Sequence, residues 1–553
     1  MNIAFLSSLD PTDIHSWSGT LFFMWKHLSQ FHRINWIGNE ILNEIKLFHY
    51  ENFGSVNEFY PEKYALVFGK KLSEYFEDSP FDIIICRDYF FLAYLVTDIP
   101  VIYIGDTTFR LFNSQYMKIN NCDFVNMADK LERLSLEKAT HVVYSSNWAK
   151  NSAIKDYNIV PKKISVIEFG ANIDFVPALI SNSISMDRCN LLFIGSNWKM
   201  KGGDMAINIY RDLKKRNFPC SLTIVGSVPK EDINDNNIKI FPFIDKSTQD
   251  GRQLFEKILS ESHFLVAPTL FDCYGIMFCE AAAFGIPVLT LSVGGVPQVV
   301  IDGVNGFLFP KETFAKEFSD KILEVFGDIT YYNLVRRLSR EEYEKRLNWN
   351  TWSNKMNALL NDIINERTVY DIPLIIAGNN NISSSSIHQL CSSYPDFKVY
   401  VLNDILVCSD FINKLLSDGD EVFVVCSINH HFPANFSLSV FIRDIYKAYQ
   451  LNADLLIGYV EDFDMVVPLS TRKFWIHNPK APDFIVVYRS LYEKLLDQTT
   501  INSNNIIEKC IELAENKLLV YPFLSVHQCE EKTNAAEVKI NKIQYVYFNK
   551  LYM

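Results

Sequence analysis

Short, continuously apolar runs recur along this chain, each followed by a stretch of helical composition. Residues 3–6 form the first run, and residues 82–86, 101–104 and 141–144 follow it. Gly19-Thr20-Leu21 opens a helix after the first run, and Ser145-Ser146, after the fourth, supply N-cap side chains for another. A strand that is apolar on both faces has no side to turn to water. The alternation therefore predicts parallel sheets covered on both faces by helices. Residues 185–190 have turn composition and lead into a second block of the same kind, with runs at 191–194, 221–226, 264–268 and 287–290. That block ends near Phe309-Pro310, and residues 311–365 read as helical. A third α/β segment starts at residues 372–378, with strands at 398–402, 421–426 and 455–458 and a polar Asn/Ser loop at 379–386. The repetition is at the scale of domains, with no short period.

Composition narrows the functional classes. A chain of 553 residues is too long for one core and implies about three domains. Hydrophobic residues at 48%, charged residues at 21% and aromatic residues at 14% fit a globular chain and argue against long disorder. The formal net charge of -12 excludes a general nucleic-acid binder, which needs a basic face, but leaves room for one basic pocket. The 11 Cys show no C-x-x-C spacing; Cys86, Cys273, Cys279 and Cys426 lie in apolar surroundings and read as reduced, buried thiols. Residues 1–6 lack a basic region and read as a strand rather than a signal peptide. No apolar run reaches the roughly 18 residues needed to cross a bilayer. The expectation is a cytoplasmic protein, with peripheral contact at the inner face of a membrane left open.

The most informative stretch is residues 268–288. A strand ends at Pro268, a loop carries Asp272, and Tyr274-Gly275 opens a helix. The first amides of a helix are unpaired and sit at its positive dipole end. At the carboxyl edge of a parallel sheet such an end suits a diphosphate. Gly275 lets a ligand approach the backbone, and Glu280, about a turn and a half into the helix, can accept hydrogen bonds from a ribose. Ala281-Ala282-Ala283 keep the helix slim.

This stretch resembles the acidic-x7-Glu motif of retaining GT-B glycosyltransferases of family 4, with Asp272 and Glu280 as the two acids; the family usually has Glu at the first position. The resemblance implies that Glu280 meets the donor ribose, Asp272 the transferred sugar, and the amides of Tyr274, Gly275 and Ile276 the sugar and phosphate. Residues 193–204, Phe-Ile-Gly-Ser-Asn-Trp-Lys-Met-Lys-Gly-Gly-Asp, resemble the family's strand–loop–helix ending in Lys-Gly-Gly. Lys201 would then hold the leaving diphosphate over Gly195. Ser196 stands where many relatives have Arg, and Lys199 is a candidate substitute. Tyr144-Ser145-Ser146-Asn147-Trp148-Ala149, residues 167–174, Gly294-Gly295-Val296-Pro297, residues 302–307 and Asn348-Trp349-Asn350-Thr351-Trp352 extend the resemblance over residues 1–365. In the first block, Gly19 of Ser18-Gly19-Thr20 would face the donor phosphates and acceptor, and Asp106, at a strand end, the acceptor.

Residues 420–426, 453–458 and 484–490 resemble a GT-A glycosyltransferase domain. Where that fold carries metal-binding acids, this chain reads Ser427-Ile428-Asn429-His430-His431, which offers few of the oxygen ligands Mg²⁺ or Mn²⁺ prefers. Two adjacent histidines on a strand would point to opposite faces. Asp462-Phe463-Asp464 falls after the next strand and reads as a pair of loop acids.

The expectation is an α/β chain: a Rossmann-like acceptor domain (1–175), a Rossmann-like donor domain (176–345), a crossover helix (346–365) and a GT-A-like domain without metal acids (366–553) that serves docking. Its partners would be a nucleotide diphosphate sugar and a glycan, lipid-linked or protein acceptor, with neither metal nor cofactor. Each residue also has a plainer reading: Asp272 as a helix N-cap, Lys201 and Glu280 as surface residues, Gly19 as a turn residue, Asp106 as a strand-end cap. A non-catalytic complex subunit, an active third-domain transferase and a nucleotide-sugar epimerase or phosphorylase remain alternatives.

Overall fold

The computed structural model describes residues 1–38, 42–43, 61–77, 79–176, 185–229, 234–367, 372–377, 397–401, 407–427, 430, 432, 436, 438–470, 472–498, 505–521, 523, 535–537 and 539–541. They form two compact units, one of Met1–Glu74 with Ile83–Asn361, the other of Tyr75–Asp82 with Asp362–Met553.

The first unit holds two six-stranded, wholly parallel sheets. The first has β1 (Asn2–Leu6), β2 (Arg33–Ile37), β3 (Ile83–Cys86), β4 (Val101–Gly105), β5 (His141–Tyr144) and β6 (Ile164–Val166) in the order β2-β1-β3-β4-β5-β6. The second has β7 (Cys189–Ile194), β8 (Cys220–Val225), β9 (Ile238–Phe241), β10 (Phe264–Val266), β11 (Val288–Leu291) and β12 (Gly306–Phe309) in the order β12-β11-β10-β7-β8-β9. Every residue of β3, β4, β10 and β11 is buried, as apolar runs flanked by helices require. The strand order reverses once in each sheet, between β1 and β3 and between β7 and β10. At such a point neighbouring loops diverge and leave a crevice beyond the carboxyl ends of the strands. Two Rossmann-like domains in one unit are the GT-B architecture.

The helices that flank these sheets include α1 (Thr20–Leu28), α2 (Cys122–Lys138), α3 (Asn147–Tyr157), α4 (Gly203–Lys215) and α5 (Ile276–Ala283). Ser146 caps α3, accepting from the Ala149 amide at 3.3 Å. In α4 the buried Ala206, Ile207, Ile209, Tyr210 and Leu213 make one apolar face, and Lys214, Lys215 and Asp212 lie off it. α5 is buried along nearly its whole length because its small alanines fit between neighbours. A sixth helix, α6 (Trp349–Arg367), returns to the first domain, where Trp349 stacks near Phe23 of α1 and Phe169.

The second unit has a mixed eight-stranded sheet. Its strands are β13 (Ile372–Ala377), β14 (Phe397–Val401), β15 (Val422–Ser427), β16 (Leu455–Tyr459), β17 (Asp462–Pro468), β18 (Lys473–Lys480), β19 (Phe484–Tyr488) and β20 (Lys517–Val520), in the order β14-β13-β15-β19-β16-β20-β18-β17. Asp462 and Asp464 are therefore strand residues, not loop acids: they lie on β17 at the sheet edge, paired with Lys539 and with Lys480. β15 stops at Ser427, so His430 is not on a strand; it is buried, stacked on Phe484. Residues 379–386, Leu402, Ile428, Asn429 and His431 lie outside the described residues.

Candidate functional site

The carboxyl edge of the second sheet gathers the residues that the sequence singles out. β7 ends at Ile194, and Gly195 follows. A Cβ there would stand 2.7 Å from Cβ and Cγ of Lys201, so only glycine lets the lysine stem cross the strand end. Gly202 caps α4 with φ +77°, and a Cβ on it would meet the Pro268 carbonyl oxygen at 2.1 Å. The Lys-Gly-Gly turn is thus wedged against the loop that leaves β10. That loop delivers Asp272, whose carboxylate forms an ion pair with Lys201; both side chains are largely buried.

Asp272 does not cap α5. It accepts from the Tyr274 amide at 3.3 Å, two residues on, and Gly275 is the cap, at φ +95°, without a side-chain hydrogen bond. The cap of α5 thus leaves its amides without a side-chain hydrogen bond, and Ile276 is partly exposed there. The Tyr274 side chain turns the other way, its hydroxyl donating to the Phe169 carbonyl at 2.8 Å.

Glu280 is not a solvated helix residue. It is 3% exposed and forms an ion pair with Lys246 at 2.9 Å. A buried carboxylate needs such a partner, since an isolated one would cost several kcal/mol of lost hydration. Lys246 was not singled out from the sequence; it lies 34 positions away, outside any motif. Lys246 also lines a small pocket with Arg252, Phe255, Glu256, Asn172 and Asp174. Lys199 is exposed on its turn and takes no part in the two ion pairs.

The first sheet contributes the opposite wall. Gly19 has φ +89°, and Trp17 and Ser18 before it are also left-handed, at φ 49° and 57°. L-residues adopt this conformation at a cost of about 1–2 kcal/mol each. Asn172 holds the strained turn by donating to the Ser18 carbonyl at 2.8 Å, and Trp349 in turn donates to Asn172 at 3.0 Å. The turn aims the Trp17 ring over the Arg87 guanidinium, 4.6 Å away, just past β3. Arg87 pairs with Asp88 at 3.0 Å, and its buried Nε has no hydrogen-bond partner among the described residues. Neither Trp17 nor Arg87 carries a sequence signal beyond its place after a strand.

Asp106 follows β4, the strand beside β3. Burial pushes its carboxyl up to about 6, against the pull of the Arg87 charge and with the Asp272 charge adding to the rise. Asp106 and Asp272, from different domains, are thus close enough to sense one another. Among the described residues no cluster of three or more His, Cys, Asp or Glu could hold a metal ion, and no helix is long and apolar enough to cross a membrane.

This geometry belongs with a known class. Residues 40–175 match the model described as Glycosyltransferase Family 4, and residues 188–328 the model described as Glycosyl transferases group 1. The first unit is accordingly a pair of glycosyltransferase domains of GT-B type. Similar proteins include an uncharacterized 41.2 kDa protein in the cps region of Klebsiella pneumoniae, 24% identical over 38% of this chain and 58% of that protein. Another is the capsular polysaccharide biosynthesis glycosyltransferase CapM of Staphylococcus aureus, 22% identical over 43% of this chain and 65% of that protein. The chain thus spans about three fifths of the length of these relatives. Among solved structures, sucrose-phosphate synthase from Thermosynechococcus elongatus superposes with a TM-score of 0.49 at 14% identity, over 66% of this chain and 99% of that one.

Proposed function

We propose that the protein is a retaining, metal-independent glycosyltransferase of family 4 type that moves a sugar from a nucleotide diphosphate donor to a glycan, lipid-linked or protein acceptor. The observation that carries this reading is the pair of lysine–carboxylate contacts, Lys201 with Asp272 and Lys246 with Glu280, beside the start of α5, whose cap makes no side-chain hydrogen bond. Here a donor diphosphate takes Lys201 from Asp272. The ammonium and the helix amides neutralise the charge that grows on the leaving phosphate, which is stabilisation by donors already in place. Asp272, released, turns to the transferred sugar. Glu280, held by Lys246, accepts from the ribose hydroxyls with its remaining lone pairs. The acceptor hydroxyl attacks the anomeric carbon from the face the phosphate leaves, the carbon–oxygen bond to phosphate breaks, and the departing phosphate takes the hydroxyl proton. Gly19 and Asp106 border the acceptor. Closure of the two domains keeps water out.

The cps-region setting of one relative and the printed name of CapM support a surface glycan as the acceptor, and with it a bacterial, cytoplasmic protein at the inner face of a membrane. The second unit is then a GT-A-type domain without its metal acids, used for docking or acceptor binding. Its sheet order supports this, with parallel β14, β13 and β15 followed by an antiparallel β19, as do the lysine partners of Asp462 and Asp464. The test is a thermal-shift panel of UDP-, GDP- and ADP-sugars. One donor raises the transition of the wild type and not that of Glu280→Ala. No shift with any donor removes the enzyme reading, and a metal requirement that survives Glu280→Ala moves the activity to the second unit.

A further inference from the structure

The loop that carries Asp272 begins with Phe271, whose ring is 7% exposed although a loop residue beside a cleft is ordinarily open to solvent. Three rings of the first domain bury it. Tyr116 lies stacked at 5.4 Å and 25°, Phe112 at 6.1 Å, and Trp148, at the start of α3, at 6.1 Å. Phe112 ends the short helix Phe109–Phe112, and Tyr116 sits in the single π-turn Asn113–Met117 that continues it. One widened turn is an uncommon device, and it often marks a functional site. Here it sets Tyr116 over Phe271. Its close is fixed by Lys118 in the left-handed region, whose amide donates to the Asn113 carbonyl at 2.8 Å. The platform beneath is rigid: Arg110 makes a two-pronged contact with Asp129 of α2, and the Arg110 amide donates to the Tyr157 hydroxyl of α3.

On its other side the loop backbone is gripped within its own domain. The Asp272 carbonyl accepts from the Gly295 amide at 3.0 Å, and a Cβ on Gly294 would meet that carbonyl oxygen at 2.1 Å. Two residues on, the Tyr274 hydroxyl is fastened to Phe169. Asp272 is thus bracketed by two aromatic side chains, each anchored outside the donor domain's own sheet.

We propose that Phe271 is a positioning residue: seated in the box of Phe112, Tyr116 and Trp148, it holds the Asp272 carboxylate at the donor sugar, so that delivery of Asp272 is coupled to packing of the donor domain on the first domain. This rests on the reading of Asp272 given above. When the domains part, Phe271 leaves its box, and the loop keeps the contacts it makes within the donor domain: the Gly295 amide to the Asp272 carbonyl, the Leu270 amide to the Met200 carbonyl, and the Lys201–Asp272 ion pair.

The consequence is a split between binding and turnover. The diphosphate and ribose contacts belong to Lys201, Glu280 and α5, whereas the ring contacts of Phe271 are with Phe112, Tyr116 and Trp148. Tyr116→Ala, at a residue 41% exposed, should lower kcat by about 10- to 100-fold, the scale expected of a group displaced by about 1 Å. The Kd of the nucleoside diphosphate that binds best among UDP, GDP and ADP should change by less than about threefold, since that binding is made elsewhere. Tyr116→Phe, which keeps the ring, should restore kcat. Added to Asp272→Asn, Tyr116→Ala should cost nothing further, because both act through one carboxylate. Independently of activity, hydrogen exchange of the amides of 270–275 should quicken by about tenfold or more in Tyr116→Ala and in Phe271→Ala, but not in Tyr116→Phe. An equal loss of binding and turnover, additive losses with Asp272→Asn, or unchanged exchange would each overturn the proposal. A wild type that binds no nucleoside diphosphate removes the transferase reading alone, and the exchange experiment still decides the coupling.

Discussion

At the scale of residues, the charged groups of the cleft divide into those already paired and those whose ionisation is tuned. Asp106 belongs to the second kind. A carboxyl raised to about 6 by burial is protonated over much of the mildly acidic range. If the ionised form serves the acceptor, the rate of nucleoside diphosphate release should rise with pH through a midpoint near 6. Arg87→Met should move that midpoint upward by removing the charge that opposes the shift, and Asp106→Asn should abolish the limb; initial rates from pH 5 to 8 decide it. Glu132 of α2 is a second tuned group, away from the cleft. It accepts from the Tyr157 hydroxyl at 2.7 Å and from the Phe109 amide, yet burial pushes it up to about 7. Its folded value lies above its unfolded one, so the folded state binds more protons between about pH 4.5 and 7, and stability falls as pH rises through that window. Glu132→Gln keeps an acceptor oxygen and removes the titration. It should flatten the pH dependence by on the order of 2 kcal/mol, read as a gain in thermal stability over wild type at pH 8 that is absent at pH 4.5.

At the scale of elements, the strand–turn–helix that holds Lys201 depends on one backbone conformation. Gly202→Ala places a methyl in the left-handed region and against the Pro268 carbonyl. Gly303 has φ +73° and open space around it, so Gly303→Ala incurs the conformational cost alone. Thermal unfolding should show a loss of about 1 kcal/mol for Gly303→Ala and a clearly larger one for Gly202→Ala, with donor binding weakened only in the second. This turn was legible in the sequence because everything it needs is local: an apolar strand, two glycines, a lysine. The same holds for Asp272, Gly275 and Glu280 around α5, and for the Ser146 cap of α3. What was not legible is pairing across the chain. Lys246 meets Glu280, Trp17 meets Arg87, and Tyr116 meets Phe271, and each partner is fixed by topology rather than by spacing. Edge strands were the other blind spot. β17 has solvent on one side, so Asp462 and Asp464 interrupt its apolar alternation and made it read as a loop.

At the scale of the whole molecule, the chain does not divide at one point. Tyr75–Asp82, which falls between helix and strand of the first domain in sequence, belongs to the second unit. Within that unit Arg443 donates to the Ser79 carbonyl at 2.7 Å, and Lys447 donates to the Glu77 carbonyl. Phe76 and Phe81 are 1% and 5% exposed and lie edge to face. Burial of a Phe side chain is worth about 2 kcal/mol, so if residues beyond 361 cover these two rings, a chain ended there loses several kcal/mol of this segment's stabilisation. Such a truncation should retain both six-stranded sheets, whose cores lie inside the first unit, but bind a hydrophobic dye and unfold at a lower temperature than the corresponding transition of the full chain. Phe76→Ser with Phe81→Ser in the truncated chain should reduce the dye binding and leave the transition where it is, because those rings have already lost their cover. In the full chain the same pair of substitutions should lower the transition of the second unit. A truncated chain that melts with the full chain and binds no dye would mean that Tyr75–Asp82 draws its stability from the first unit after all.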